Sequence, residues 1–307
     1  MKQKHDTLIE QLINCPVTIG KNGAKIYWFD QPYHLYLEDK QANLYLDMIN
    51  AEKFSSQLHE PTERLIEKYT TDILKDFKGK LEFYDLGPGL PTKSIPLLKE
   101  LQLSHREFKY IPVDISTSFI KIATEEVAKI GVKSDPINCL FEDLNKHIDL
   151  KSSIDRLFFI GLTFNNYRPN KILSLLKDLC EPNGVCLIIT EYFTKDKIES
   201  ILVPYKDKYA ENFNYLALEL TGINRQSLKY FTNFHNQRIE MGFSLIEDIK
   251  VGDNVLKKGT KIITAISYRY TRASLTNNIR KYFKHFTYYE LENKTTLSLV
   301  AFKLYHK

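Results

Sequence analysis

Between Gly79 and about residue 194 the chain switches repeatedly between short apolar runs and longer stretches with apolar residues three to four apart. Residues 81–86, 108–113, 156–160 and 185–190 read as strands, with a further strand before Asp143, and residues 92–101, 116–130 and 170–180 read as helices. Alternation of this kind implies a mostly parallel sheet with helices on both faces, an α/β core. On its N-terminal side, Pro61 opens a helix whose Leu65, Ile66, Tyr69, Ile73, Leu74 and Phe77 form one apolar face before Gly79 ends it.

The flanks differ in character. Residues 1–60 hold helix-like stretches, such as 42–49, interrupted by Cys15-Pro16, Gly20, Gly23 and Gln31-Pro32, and read as an irregular helical cap. After about residue 195 comes a helical stretch through His235, then period-two runs at 239–249, 261–270, 287–291 and 296–305, an antiparallel, largely β tail. The expected division is a core over 61–194 and a second α+β domain built from 1–60 together with 195–307. A chain of 307 residues with 43% hydrophobic and 26% charged side chains can bury a substantial core and is neither disordered nor a membrane protein in composition.

Charge and special residues narrow the function classes. Against 43 Lys and Arg stand 38 Asp and Glu, and the resulting +5 is too small and too interspersed to support a nucleic-acid partner. The first residues lack the apolar block of an export signal and no run approaches the roughly 20 apolar residues that span a bilayer, so cytoplasmic residence without a membrane partner is expected. Cys15, Cys139, Cys180 and Cys186 form no CxxC pair and the 8 His show neither HxH nor HExxH spacing, which argues against a disulfide framework and a metal site.

The strongest local signal is Phe83-Tyr84-Asp85-Leu86-Gly87-Pro88-Gly89-Leu90-Pro91-Thr92, at the end of the first strand of the core and leading into a helix. Gly87 and Gly89 allow a sharp turn and close approach to a ligand, and the helix start offers unsatisfied N–H groups. Thr92 stands where a dinucleotide fingerprint has its third Gly, which disfavours a pyrophosphate and makes a nicotinamide dehydrogenase a weak alternative. Asp85, just before the first Gly, supplies an acceptor toward a cationic amine, pointing to the amino-acid end of S-adenosylmethionine. The second strand ends in Asp114, 25 residues after Gly89, where a carboxylate can accept from both ribose hydroxyls. Asp143, in Phe141-Glu142-Asp143-Leu144, is a candidate for the adenine amino group.

Together these residues resemble the S-adenosylmethionine-dependent histidine-type Nα-methyltransferases of the ergothioneine pathway, from about Phe83 to the C-terminus. Leu86-Gly87-Pro88-Gly89 with Thr92-Lys93 is similar to that family's Leu-Gly-Ser-Gly loop and Lys-Thr, and Tyr110-Ile111-Pro112-Val113-Asp114-Ile115-Ser116 matches its Tyr-x-Pro-Val-Asp-x-Ser segment. Gly161-Leu162-Thr163-Phe164-Asn165-Asn166 is similar to its Gly-Ser-x-Ile-Gly-Asn loop. Arg238-Ile239-Glu240-Met241 and Thr264-Ala265-Ile266-Ser267-Tyr268-Arg269 resemble its two acceptor-binding strand segments. The resemblance implies a Rossmann-like class I methyltransferase core with a second α+β domain of cap and tail that closes the acceptor pocket.

Residue by residue, the resemblance implies that Gly87, Lys93, Asp114 and Asp143 bind the cofactor, that Asn166 holds the acceptor's amino and carboxylate groups, and that Tyr205, Met241 and Ser267 contact the acceptor. Two departures bear on the substrate: Ala265 stands where the family has a Glu for the imidazole ring, and Lys53-Phe54-Ser55-Ser56-Gln57 stands for its Tyr-Tyr-Pro-Thr-Arg segment. An imidazole N–H left without its acceptor costs about 1 to 3 kcal/mol, which removes most selectivity for histidine. The expectation is thus N-methylation of the α-amine of another small amino acid or related amine, with Asn166 and Tyr205 as the positioning groups at the reaction. Two alternatives stay open: transfer to an oxygen or sulfur of another small metabolite, and a cofactor-binding protein without catalysis. Glu191 and Tyr192, after the last strand of the core, are either proton acceptors or structural, the latter favoured.

Overall fold

The segment Leu81–Leu86, apolar apart from Glu82 and Asp85, is buried almost without interruption, as a strand covered on both faces requires, and it lies inside a seven-stranded sheet. The structure is a computed structural model that describes residues 2–36, 38–149, 152–291 and 298–305. In chain order its strands are β1 (Val17–Ile19), β2 (Lys25–Trp28), β3 (Leu81–Leu86), β4 (Phe108–Asp114), β5 (Ile137–Asn138), β6 (Asp155–Ile160) and β7 (Gly184–Tyr192). There follow β8 (Leu228–His235), β9 (Arg238–Leu245), β10 (Ile249–Val251), β11 (Asn254–Leu256), β12 (Lys261–Tyr268), β13 (His285–Leu291) and β14 (Ser298–Tyr305). The chain forms two compact units, one of Glu52–Lys197 with Arg269–Lys307, the other of Met1–Ala51 with Ile198–Tyr268.

In the first unit the sheet order is β13-β14-β7-β6-β3-β4-β5. Strands β3 to β7 run parallel, while β14 is antiparallel to both β7 and β13. A central parallel sheet extended by one reversed strand inserted before its edge is the class I methyltransferase arrangement. Helix Glu60–Leu74 carries the apolar face read from the sequence, and Leu65, Ile66, Ile73 and Leu74 join Phe83, Leu157, Phe159, Leu187 and Ile189 in one core cluster. Beside the β13 edge, Lys303 of β14 is buried and reaches Asp76 at 2.7 Å, and Tyr305 donates to the same carboxylate at 2.8 Å. That contact ties the last strand to the chain just beyond the helix.

The tail therefore divides. Strands β13 and β14 complete the first unit's sheet, and of the strands after residue 195 only β8 to β12 belong to the second unit. A period-two pattern is the same whichever sheet receives the strand. Residues 228–235, expected to be helical, form β8, in which Lys229, Asn233 and His235 are exposed between partly buried Tyr230, Thr232 and Phe234. Asn236 and Gln237, at φ 49° and 59°, make the two-residue turn that folds β8 back on β9. Helix Arg272–Arg280 is an element that the strand pattern concealed.

The second unit has a five-stranded sheet of order β1-β2-β12-β9-β8, with β10 and β11 paired separately. Its N-terminal part is thus more than a helical cap, since β2 pairs parallel with β12. Helix Lys208–Glu219 packs on this sheet through Asn214, whose amide donates to Ala210 O at 2.8 Å and accepts from Thr264 Oγ1 at 3.1 Å. Among the described residues no helix is long and apolar enough to cross a membrane, and no group of three or more His, Cys, Asp or Glu is placed to hold a metal ion.

Candidate cofactor-binding site

Strand order reverses direction at β3: β4 and β5 are added on one side, β6 and β7 on the other. In an open α/β sheet the crevice outside the strand ends at such a switch point is where ligands bind. The turns that follow β3 and β6 flank it, and their residues meet. Gly87 and Gly89 have φ of 69° and 53°, backbone that other residues adopt only with strain. A Cβ on Gly87 would lie 3.1 Å from Thr163 Oγ1 and 3.4 Å from Phe141 Cζ, so the loops after β3, β5 and β6 converge on this glycine. A Cβ on Gly161 would likewise lie 3.4 Å from Cε of Lys93, whose stem therefore passes over the start of the β6 turn.

Asp85 is 2% exposed, and its Oδ2 accepts from the hydroxyls of Ser94 and, at 2.8 Å, Tyr110. Burial pushes its carboxyl up to about 6, opposed by those two hydrogen bonds and by the charge of Lys93. The arrangement has a simple origin in register: Asp85 pairs with Pro112, so Tyr110 and Asp114, two residues to either side, share its face. In the structure Asp85 braces the glycine turn against β4 and the following helix.

Asp114 ends β4 and is 8% exposed. Its Oδ1 accepts from Ser116 N at 2.8 Å, and Asn138 Nδ2 donates to Asp114 O and Ile115 O, each at 2.8 Å, fixing the strand end. Burial pushes its carboxyl up to about 7, with the charge of Asp85 adding to the shift and the amides of Ser116 and Ile115 opposing it. Ser116 then caps the next helix by accepting from Phe119 N.

Burial lowers the Lys93 ammonium while the charges of Asp85 and Glu63 raise it, the net being downward. Glu63 belongs to a neighbouring cluster in which His59 Nδ1 lies 3.0 Å from Glu63 Oε1 and His59 Nε2 lies 3.4 Å from Thr92 Oγ1. Asp143 sits on the turn Phe141–Lys146, is half-exposed, and pairs with Lys146 at 2.5 Å. Beside it, Phe141 is buried and its ring faces Tyr167 at 5.8 Å. Burial, with the charges of Glu142 and Asp114, holds the Tyr167 hydroxyl well above its usual range. Asn166 closes the turn Leu162–Asn166 and is partly exposed.

The structure thus brings Asp85, Gly87, Gly89, Lys93, Asp114 and the turn bearing Asn166 to one end of one sheet, with Asp143 on an adjoining turn. Tyr205, Met241 and Ser267 belong to the other unit. There β9 and β12 pair Met241 with Ala265 and Ile239 with Ser267, so Met241, Ala265 and Ser267 project from one face. Met241 Sδ accepts from Asn214 Nδ2 at 3.8 Å, and Tyr205, 8% exposed, accepts at its carbonyl from Tyr230. Glu191 is fully buried against Arg269 at 2.6 Å, a structural ion pair. Sequence reading missed Ser94, Tyr110, Phe141, Tyr167 and Thr163. Tyr110, Phe141 and Thr163 lay inside the motif segments of Asp114, Asp143 and Asn166 without a role of their own, and Ser94 and Tyr167 lay in none.

These groups suit S-adenosylmethionine: two buried carboxylates for its hydroxyls and cationic centres, an ammonium for its carboxylate, and paired rings for its base. The chain belongs to the S-adenosylmethionine-dependent methyltransferase family described as histidine-specific, which matches residues 32–294. No curated protein matches it. Solved structures with a similar course include a methyltransferase of the same cofactor from Clostridium acetobutylicum, at 11% identity and TM-score 0.48 over 86% of this chain and 98% of that one. An O-methyltransferase family protein from Burkholderia thailandensis is 9% identical, TM-score 0.49, over 99% and 69%. PH0226 protein from Pyrococcus horikoshii is 14% identical, TM-score 0.41, over 83% and 93%.

Proposed function

We propose, from that family membership, that this S-adenosylmethionine-dependent methyltransferase acts in the cytoplasm on the α-amine of a small amino acid or related amine other than histidine. The observation that carries the reading is the convergence at the switch point: the Gly87 turn, the buried Asp114 and the turn ending in Asn166 meet at one sheet end. Asp114 accepts from the ribose hydroxyls, Lys93 meets the cofactor's carboxylate, and Asp143 with the Phe141 and Tyr167 rings receives the base.

When bound, S-adenosylmethionine supplies an electrophilic methyl group on a sulfonium. What remains for the chain is positioning: holding a neutral amine lone pair in line and keeping water from it, effects worth up to about 7 to 11 kcal/mol in favourable cases. Asn166 anchors the acceptor's amino and carboxylate groups, and Tyr205, Met241 and Ser267 orient it. Ala265, on the face shared by Met241 and Ser267, offers no acceptor to an imidazole N–H, which favours an amine other than histidine.

The test is a screen of proteinogenic amino acids and simple amines with labelled cofactor, read by product mass. A gain of one to three methyl units on nitrogen supports the reading; methylation confined to oxygen or sulfur acceptors, or cofactor binding without turnover, overturns it. Asn166→Ala should abolish turnover while leaving affinity for S-adenosylhomocysteine near normal.

A further inference from the structure

The turn that ends in Asn166 carries a second carboxamide. Asn165 is 1% exposed, and the hydroxyl of the fully buried Thr190 on β7 donates to its Oδ1 at 2.6 Å. That bond fixes the plane of the amide. Its nitrogen, Nδ2, is buried and has no hydrogen-bond partner among the described residues. Buried donors are nearly always satisfied, because an unmet one bears its full desolvation cost. Here the unmet donor is held in place by a second side chain, in the same turn that places Thr163 against Gly87 and starts beneath Lys93.

We propose that Asn165 is a specificity-determining residue, its Nδ2 donating to a carbonyl or carboxylate oxygen of the methyl acceptor, so that the enzyme selects amines carrying such an oxygen. This rests on the amine-acceptor reading above. The acceptor's nitrogen is not the group met, since its lone pair must face the methyl. Affinity for S-adenosylhomocysteine separates the acceptor from the cofactor as the group met: a folded Asn165 variant that loses that affinity assigns the amide to the cofactor and overturns the proposal.

The test compares kcat/KM for the proteinogenic amino acids with that for the corresponding decarboxylated amines, in the wild type, Asn165→Ala, Asn165→Gly and Thr190→Val. The wild type should favour the oxygen-bearing member. Loss of the donor should lower kcat/KM for those acceptors on the order of 10- to 100-fold, the scale of one hydrogen bond to a charged group, and leave the decarboxylated amines nearly unchanged. S-adenosylhomocysteine affinity, read by calorimetry, should stay near wild type in each variant. Should the Asn165 variants lose that affinity through misfolding, Thr190→Val, which keeps the amide but removes the hydroxyl that fixes it, must still weaken the discrimination. Preference retained in a variant that binds S-adenosylhomocysteine overturns the assignment of Asn165 alone. A wild type that methylates no amine overturns the underlying reading and this proposal with it.

Discussion

Tyr110 donates its hydroxyl to Oδ2 of Asp85 at 2.8 Å across the β3–β4 pair, sharing that oxygen with Ser94. The bond joins the strand that ends in Asp114 to the one that leads into the glycine turn. Removing it leaves a buried carboxylate with one donor fewer and raises a carboxyl already pushed up to about 6 by burial. Tyr110→Phe should therefore lose about 1 to 3 kcal/mol in chemical denaturation. It should also weaken S-adenosylhomocysteine binding more at pH 6.5 than at pH 8.5, and equal stability with unchanged binding at both would refute the brace.

The ribose-binding role proposed for Asp114 ties cofactor binding to pH. Its carboxyl is raised to about 7 by burial and by Asp85, and only the ionised form would accept from both hydroxyls. Affinity for S-adenosylhomocysteine should fall as pH drops below about 7, by up to tenfold per unit for one proton. Asp114→Asn should bind more weakly at pH 8 and show a flatter profile, measured by calorimetry between pH 5.5 and 8.5. Stability runs the other way. The folded-state pKa lies above the ordinary 3.8, so the folded chain holds the extra proton between about 4 and 7, and this carboxylate's contribution to stability declines as pH rises through that window.

Local chemistry was legible and long-range pairing was not. Residues 81–86 form β3 as their mainly apolar pattern implied, and the helix opened by Pro61 presents the face that its spacing announced. Asp114 stands at a strand end because Ser116, two residues on, is the N-cap of the next helix. In contrast, the partnership of Asp85 with Tyr110 depends on β3–β4 register, and one residue of slip would point the tyrosine to the other face. Strands β1 and β2, of three and four residues, are too short for periodicity to reveal. The sheet that receives β14 is settled by packing such as Lys303 on Asp76, residues far apart in the chain.

The buried pair Glu191–Arg269 offers a stability test. Both side chains are at most 1% exposed, and Nε lies 2.6 Å from Oε2 where Phe193 N also bonds Tyr270 O at 2.8 Å. Burial raises Glu191 and the guanidinium opposes the shift. Removing one partner strands the other charge, so Arg269→Met should lose about 3 to 5 kcal/mol at pH 7, whereas Glu191→Leu with Arg269→Met together should recover most of it. The deficit of the single variant should shrink as pH falls, because a proton neutralises the stranded Glu191. Urea denaturation at pH 5 and 8 measures both. A single variant no less stable than the double would remove the structural reading and reopen Glu191 as a proton acceptor.

Gly242 is a tight steric constraint in the second unit. A Cβ there would lie 2.1 Å from Ile262 O and 2.9 Å from Ile263 Cα, beside the irregularity between Ile263 and Ala265 where β9 and β12 draw together. Backbone cannot yield as a side chain does, so Gly242→Ala should push the strands apart at a cost of about 3 kcal/mol, the upper end for overpacking. The same displacement would shift Met241 relative to Ala265, the pair proposed to face the acceptor. Hydrogen exchange should show β9 and β12 losing protection while β3 and β4, in the other unit, keep theirs, and S-adenosylhomocysteine affinity should be retained as acceptor turnover falls. Wild-type protection in β9 would mean that the ladder tolerates a methyl group there and that its spacing does not set the Met241 face.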